Sequence, residues 1–374
     1  MRRSRKTLFS AFLLFLIITF AFIALKPQEE VASLPLRSSN HTLPIVLSWS
    51  RFFDRDFSDV LLAQESPECE RKCIFSSDKR LLTESSLILF HPWNFFEDSF
   101  PTTAPHQTKV FFSHESPSAI PKSYFKKVPR DYFNLTGSYR LDSNIVVPYA
   151  RFRKLKQPKE RIPMEQIENV IKKKTDLAFQ LISNCWTYSK REFYLRELAR
   201  HANITGYGRC SDRGCDKECE EKAIESHFFF FAFENSVCQD YLTEKFFRLR
   251  HGIVPVVLSR KHAAKSAPDG SFIAADDFAS PKELASFLTH LMRTPREYER
   301  YFDWMKHYEL ADDDATLRCQ LCKAAHEKRR HTVDDIKKWW YSGQCEFGFA
   351  ARNLTLSFYD NAMTWLFVKN LGDS

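Results

Sequence analysis

Glu115 stands in Ser113-His114-Glu115-Ser116-Pro117, directly after the apolar run TKVFF at 108–112. If that run is a strand, Glu115 lies in the crevice beyond its carboxyl end, where α/β sheets bind ligands. A carboxylate there can take a proton from an attacking hydroxyl, although most loop glutamates are simply solvated. His114 is a second proton carrier beside it. Two cations occupy positions suited to an anion. Arg191 opens a helix predicted over 189–201, after the strand-like DLAFQLIS at 176–183, and Lys245 lies near the start of a helix predicted over 240–252. In both, a helix N-terminus and a side-chain charge would act on one anion, as a diphosphate requires. Tyr241 and Glu244 share the second helix, and Glu234 and Asn235 follow the run HFFFFAF at 227–233. Adjacent charges such as Glu244-Lys245 are more often a solvated helix face. Arg140, in SYRLDS, is a further cation.

Other motifs exclude some chemistries. Gly206-Tyr207-Gly208 lacks the rest of a GxGxxG loop, so phosphates would be held by side chains and helix ends. Asp54-Arg55-Asp56 and Asp312-Asp313-Asp314 contain the D-x-D spacing of metal-holding carboxylates, but neither follows a convincing buried strand. Cys319-x-x-Cys322 could be a redox pair or half of a zinc site with Cys69-x-x-x-Cys73. The cysteines number ten, an even count that suits disulfides in an oxidising lumen. Asn-x-Ser/Thr sequons at Asn40, Asn134, Asn203 and Asn353 agree with that compartment.

The elements that must position these groups alternate. PIVLSW (44–49), SSLILF (85–90) and TKVFF are short apolar runs bounded by polar or Pro punctuation, as buried parallel strands are. After the basic stretch 151–163 a second series follows, with IVPVVL (253–258) as a further strand and helices predicted over 281–292 and 295–308, each with Pro in its first turn. Gly252 is placed to stop the 240–252 helix. The Phe228–Phe231 run reads as strand core. Strand–helix alternation twice over predicts two α/β units, and 374 residues suit two domains of roughly 150–170 residues each.

With 44% hydrophobic and 27% charged residues the composition is globular, excluding a disordered chain or a many-span membrane protein. Only 9 Gly stand against 35 Phe, which excludes Gly-rich and collagen-like architectures. Half of the +8 net charge comes from Arg2, Arg3, Arg5 and Lys6, and the remainder is too little for a nucleic-acid binder. Those four residues precede Thr7–Leu25, an uncharged run of 19 residues, long enough at about 1.5 Å per residue to span a bilayer. It exceeds the ~7–15 residues of a signal-peptide core and no small-x-small cleavage site follows it. The expectation is a signal anchor with a cytoplasmic N-terminus and everything beyond Leu25 in the lumen.

The string FFFFAFENSVCQDYLTEKFFRLRHGIVPVVLS from 228, continued by SFIAADDFASPKELASFLTHLM and YERYFDW, resembles the α1,3-fucosyltransferase family, inverting enzymes that use GDP-fucose. HESPS (114–118), FNLTGSYRLDSNIVVPY (133–149) and SNCWTYSKREFY (183–194) extend the resemblance, which covers roughly residues 44–345. It implies two Rossmann-like domains in the GT-B arrangement after an N-terminal transmembrane helix. The expected layout is a cytoplasmic tail (1–6), an anchor (7–25), a stem (26–43), an acceptor-binding domain (44–170), a GDP-fucose-binding domain (171–345) and a C-terminal segment (346–374). By resemblance Glu115 is the general base, and Arg191 and Lys245 bind the diphosphate. Glu244 takes the ribose hydroxyls, Tyr241 packs on the nucleoside, and Glu234 and Asn235 are fucose-side contacts. The family bonds two early cysteines to its C-terminal CxxC, which here implies bridges between Cys69 or Cys73 and Cys319 or Cys322, pairing undetermined. The chain departs from the family pattern around 261–269, where an aromatic is missing and Asp269 replaces a Pro.

The resemblance implies GDP-fucose as donor, no catalytic metal or other cofactor, an oligosaccharide acceptor bearing GlcNAc, and residence in the Golgi membrane with no nucleic-acid partner. His91-Pro92-Trp93 lies in the region expected to influence the acceptor. Rival readings are a non-catalytic lectin or scaffold of the same fold, a transferase for another nucleotide sugar, and a redox protein built on Cys319 and Cys322. Intact Glu115, Arg191, Glu244 and Lys245 argue against the first.

Overall fold

Apolar runs such as Ile45–Ser48 and Leu87–Phe90 are short, continuous and rich in branched and aromatic residues, the signature of strands covered on both faces. In the computed structural model, which describes residues 43–63, 68–97, 99–159, 164–311, 317–327, 331–352 and 354, they form the centre of a six-stranded parallel sheet. Its strands are β1 (Ile45–Ser48), β2 (Ile74–Ser76), β3 (Leu87–Phe90), β4 (Thr108–Ser113), β5 (Leu135–Ser138) and β6 (Ile145–Val146), in the order β2-β1-β3-β4-β5-β6. Alternate residues go to opposite faces. Val46, Leu87, Leu89, Val110 and Phe112 point to one core, and Leu47, Ile88, Phe90 and Phe111 to the other.

The chain continues through β7 (Arg151–Lys154), β8 (Asp176–Leu181), β9 (Ile204–Tyr207), β10 (His227–Phe231), β11 (Val237–Cys238), β12 (Val254–Val257), β13 (Ile273–Ala274), β14 (Tyr308–Ala311) and β15 (Cys345–Glu346). A second parallel sheet has the order β13-β12-β10-β8-β9. Ala178, Phe229, Phe231 and Val256 fill the core on one face, and Phe179, Phe230 and Val257 the core on the other. In each sheet the first strand is flanked by the second on one side and the third on the other, so each has a topological switch point beside its first strand. The α/β expectation with parallel sheets holds. The 7–25 segment lies outside the described residues, among which no helix is long and apolar enough to cross a membrane.

The two sheets are tied by later chain. β7 pairs antiparallel with β14. Residues 317–341, inside the span 171–345, pack on the first sheet instead. The helix Leu317–Glu327 covers one face through Leu317, Leu321, Ala324 and Ala325, and Ile336 and Trp340 of the helix Ile336–Tyr341 cover the other. Bridges Cys69–Cys319 and Cys73–Cys322 fasten the first of these helices. Cys185–Cys210, Cys215–Cys219 and Cys238–Cys345 complete the set, and no described cysteine is free.

Two predicted helices differ. The 240–252 segment is a turn followed by a 3-10 stretch, Phe246–His251. Asp240 is left-handed (φ 59°), and the Thr243 N–H donates to the Glu234 carboxylate at 2.8 Å rather than to a helical carbonyl. A side chain from outside the segment takes the donor that a helix would need. Gly252 still follows the stretch at φ 79°, where a Cβ would press on Val170. In 295–308 the α-helix covers Pro295–Glu299 and turns 3-10 through Lys306, because Tyr308 must enter β14.

Candidate active site

The loops that follow β4 and β10 meet directly. The buried Ser116 hydroxyl, next to Glu115, donates to that of Ser236 at 2.9 Å, and the Leu141 N–H donates to Asp240 at 3.1 Å. These bonds bring the loop carrying Glu115 against the loop carrying Glu234, Asn235 and Tyr241.

Glu115 is half-buried. Burial pushes its carboxyl above the usual range, Lys245 opposes the shift, and Glu244 and Glu234 reinforce it. These four groups therefore share one electrostatic environment. His114 does not compete as a free base. Its Nε2 lies 2.7 Å from the Val147 carbonyl, its ring stacks on Tyr149 with centroids 5.1 Å apart, and burial lowers its pKa.

Lys245 sits just before the 3-10 stretch, not on an α-helix, so the expected helix dipole behind it is absent. Its position is fixed by side chains: Nζ lies 2.8 Å from Thr243 Oγ1, 3.0 Å from Glu244 and 3.2 Å from Glu234. Burial lowers its pKa, but Glu234 and Glu244 outweigh this and hold it raised, so it is a cation at any working pH. Glu234 is buried and also accepts from the Thr243 hydroxyl at 2.7 Å. Glu244 is exposed; burial raises its carboxyl, but Lys245 prevails and keeps it lowered. Tyr241 is buried against Tyr139, with ring centroids 4.9 Å apart, so it lies between the two sheets rather than on a helix face.

Arg191 does open the helix Arg191–Leu198, but its guanidinium turns inward. It donates to the carbonyls of Phe233 and Asn184, its Nε and the nearby Asn235 Oδ1 are buried without a partner, and burial lowers its pKa against the opposing charge of Glu234. It also lines a cavity of about 330 Å³ at the carboxyl end of β8, together with Gln180, Trp186 and Arg196. Arg140 is used structurally: it pairs with Asp142, donates to the Trp339 carbonyl at 2.7 Å and lies over the Trp339 ring.

On the first-sheet side His91 is buried among Phe52, Phe53 and Phe57, both ring nitrogens without a partner, and burial, with His114 adding, pushes its pKa down to about 3. Trp93 packs on Phe53 and Tyr124. Among the described residues no group of three or more His, Cys, Asp or Glu side chains could hold a metal ion, and Asp312–Asp314 fall outside them. Asp56 is committed elsewhere, capping the helix Phe57–Leu62. Of the sequons, Asn203 is exposed; Asn134 spends its amide on the His331 carbonyl at 2.9 Å; Asn40 and Asn353 lie outside the described residues.

Sequence reasoning gave no role to Thr243 or Tyr149. Thr243 ties Glu234 to Lys245. The Tyr149 hydroxyl donates to the His114 carbonyl at 2.9 Å and steadies the residue before Glu115. Both lie inside strings that carried the family resemblance, which was the available signal.

The family model described as "Fucosyltransferase, N-terminal" matches residues 41–150, and "Glycosyltransferase family 10 (fucosyltransferase) C-term" matches 171–339. Alpha-(1,3)-fucosyltransferase fut-1 of Caenorhabditis elegans is 34% identical over 246 residues, 61% of this chain and 55% of that protein, so the match spans about half of the worm protein. The human 4-galactosyl-N-acetylglucosaminide 3-alpha-L-fucosyltransferase FUT5 is 30% identical over 311 residues, 80% of each chain. A solved structure, "Crystal Structure of alpha1,3-Fucosyltransferase with GDP", aligns over 80% of this chain and 94% of its own at 14% identity and a TM-score of 0.49. From the paired domain matches and the human relative, this chain belongs to glycosyltransferase family 10, the fucosyltransferases.

Proposed function

We propose that the chain is an inverting α1,3-fucosyltransferase of GT-B arrangement that moves L-fucose from GDP-fucose to the 3-hydroxyl of a GlcNAc unit in a glycan. The observation that carries this is the junction at which Glu115 of the first sheet feels the charges of Lys245 and Glu234 of the second, held together by Ser116 and Ser236. An inverting displacement needs a base on the acceptor side and charge stabilisation on the leaving-group side of one carbon. Glu115 and Lys245 come from opposite walls and suit those places. A carboxyl raised by burial is a stronger base when ionised. Lys245 neutralises charge growing on the GDP leaving group, and Arg191 adds to the field from beneath Glu234. Glu244, exposed at the rim, is placed for the ribose hydroxyls. The reading assigns the diphosphate charge to these cations rather than to a metal. It also takes the chain to be a type II Golgi membrane protein anchored by 7–25, supported by the basic flank and length of that run.

The test is fucose transfer by the detergent-solubilised full-length chain without added metal, wild type beside Glu115→Gln. The expected result is transfer by the wild type and a loss of about 10²–10⁴-fold in kcat in the variant, with GDP-fucose binding retained. Full transfer by the variant would remove Glu115 as the base. Absence of GDP-fucose binding by a folded wild type would favour a lectin or scaffold.

A further inference from the structure

At the switch point of the first sheet the chain ends of β1, β2 and β3 diverge and leave a cavity of about 370 Å³. That size lies within the range of small-molecule sites. Neither Glu115 nor Lys245 lines it. Trp49 and Arg51 line it after β1, Lys79 after β2, and Asn94 and Glu97 after β3, with Asp56 alongside. We infer that this cavity is a second saccharide subsite, which binds a neutral sugar unit of the acceptor remote from the fucosylated one.

The walls argue for that ligand class. Arg51 and Lys79 oppose an isolated cation, and Asp56 and Glu97 oppose an isolated anion. A neutral ligand rich in hydroxyls satisfies both, because each hydroxyl donates and accepts. Asn94 Oδ1 is buried without a hydrogen-bond partner, an acceptor that calls for an incoming O–H donor. Asp56 is a fixed wall, since it already accepts from the Ser58 N–H at 2.9 Å and from the Ser77 hydroxyl. The Trp49 ring is fixed by its Nε1 bond to the Ser99 carbonyl at 2.7 Å, and Lys79 Nζ stands 4.6 Å from the ring centroid.

The placement fits the reaction. This step rests on the reading of Glu115 as the base at the acceptor hydroxyl. All strands of this sheet are parallel, so the cavity and Glu115 lie at the same edge. β1 and β4 are separated by β3 alone, so their ends stand about two strand spacings, ~10 Å, apart. A glycan reaching from Glu115 to the cavity spans the turn Pro92–Asn94, which starts at His91 beside the Glu115 loop and ends at Asn94 in the cavity wall.

The experiment uses the full-length chain with GlcNAc-containing acceptors lengthened by one neutral sugar at a time. Transfer kinetics and saturation-transfer NMR binding are measured for the wild type, Asn94→Ala and Arg51→Ala. Asn94 Oδ1 has no internal partner, so its loss breaks no hydrogen bond of that oxygen, and Arg51 is an exposed second variant. The expected result is a wild-type KM that falls at a defined acceptor length, and a three- to tenfold rise in KM in each variant for acceptors of that length or longer, about the worth of one hydrogen bond. kcat, the GDP-fucose KM and the KM of the shortest acceptor should not move. A wild-type KM independent of length, or an equal rise for short and long acceptors, overturns the subsite. Length-dependent, Asn94-sensitive glycan binding without fucose transfer would remove the fucosyltransferase reading and leave the subsite standing.

Discussion

In the proposed reaction Glu115 is the general base, a role that benefits from a raised proton affinity. Burial raises its carboxyl, with the Glu244 and Glu234 charges adding and Lys245 opposing. The base must be ionised to act, so kcat/KM should fall as pH drops through the raised Glu115 pKa, above the ordinary carboxylate range. Glu244→Gln removes one carboxylate that raises Glu115. The acidic limb of the kcat/KM profile should therefore move to lower pH, while the GDP-fucose KM rises roughly tenfold or more through loss of a hydrogen bond to a charged group. A limb that moves up or stays fixed would show that Glu244 does not act on Glu115. Lys245→Ala has the opposite sign: with the opposing cation gone, the residual activity should show its acidic limb at higher pH. Arg191 differs because its guanidinium is tied to the carbonyls of Phe233 and Asn184. Its Nε is left without a partner, so it can reach an anion through that donor as well as through its field.

At the scale of elements the turn at 240–245 does work that a helix would not. Glu234 captures the Thr243 N–H and hydroxyl, and the same hydroxyl holds Lys245 Nζ at 2.8 Å. In the proposed reaction Thr243 is thus a positioning residue. Thr243→Val keeps its shape and removes the oxygen, so the GDP-fucose KM should rise about three- to tenfold with little change in thermal midpoint, and Thr243→Ser should restore it. Failure of Ser to rescue would make the effect one of packing. This turn is also where the sequence was least legible. The 240–252 run has the apolar spacing of a helix, but spacing does not report that Glu234 will take the Thr243 N–H. Strands such as Ile45–Ser48, Leu87–Phe90 and His227–Phe231 were readable because burial on both faces leaves continuous apolar runs. Leu135–Ser138 and Ile204–Tyr207, also in the parallel sheets, carry Thr and Gly and leave no such run. Lys217–Ser226 escaped notice as a helix because it is mostly charged and buries only Ala223 and Ile224. The site residues were legible individually, through motif and position after strands. Their junction depends on contacts such as Ser116–Ser236, 120 residues apart, which no local pattern encodes.

For the whole molecule, the question is what keeps two α/β halves in register when the site lies between them. Covalent closure is one answer. Cys69–Cys319 spans 250 residues and fastens the helix Leu317–Glu327 to the first sheet, so the chain returns to its starting half after completing the second. A bridge across so long a loop contributes about 5–6 kcal/mol in the chain-entropy account. Cys73–Cys322 spans 249 residues by itself, but once the first bridge exists it closes a ring of only roughly nine residues, so its added contribution is smaller. The two should therefore be strongly non-additive. Removing either bridge alone (Cys69→Ser/Cys319→Ser, or Cys73→Ser/Cys322→Ser) should lower the thermal midpoint by a few degrees, about 1–2 kcal/mol at roughly 2–4 °C per kcal/mol. Removing both should lower it by about 10 °C or more, beyond the sum of the single effects. At temperatures where the variants remain folded, the acidic limb set by Glu115 should stay in place, because no bridge cysteine is among the groups acting on that carboxyl. Differential scanning calorimetry and the pH profile of transfer check both halves of the statement. Additive losses would mean that each bridge holds a separate piece of structure. Loss of transfer on Cys322→Ser without a change in thermal midpoint would revive a redox role for the Cys319–Cys322 pair.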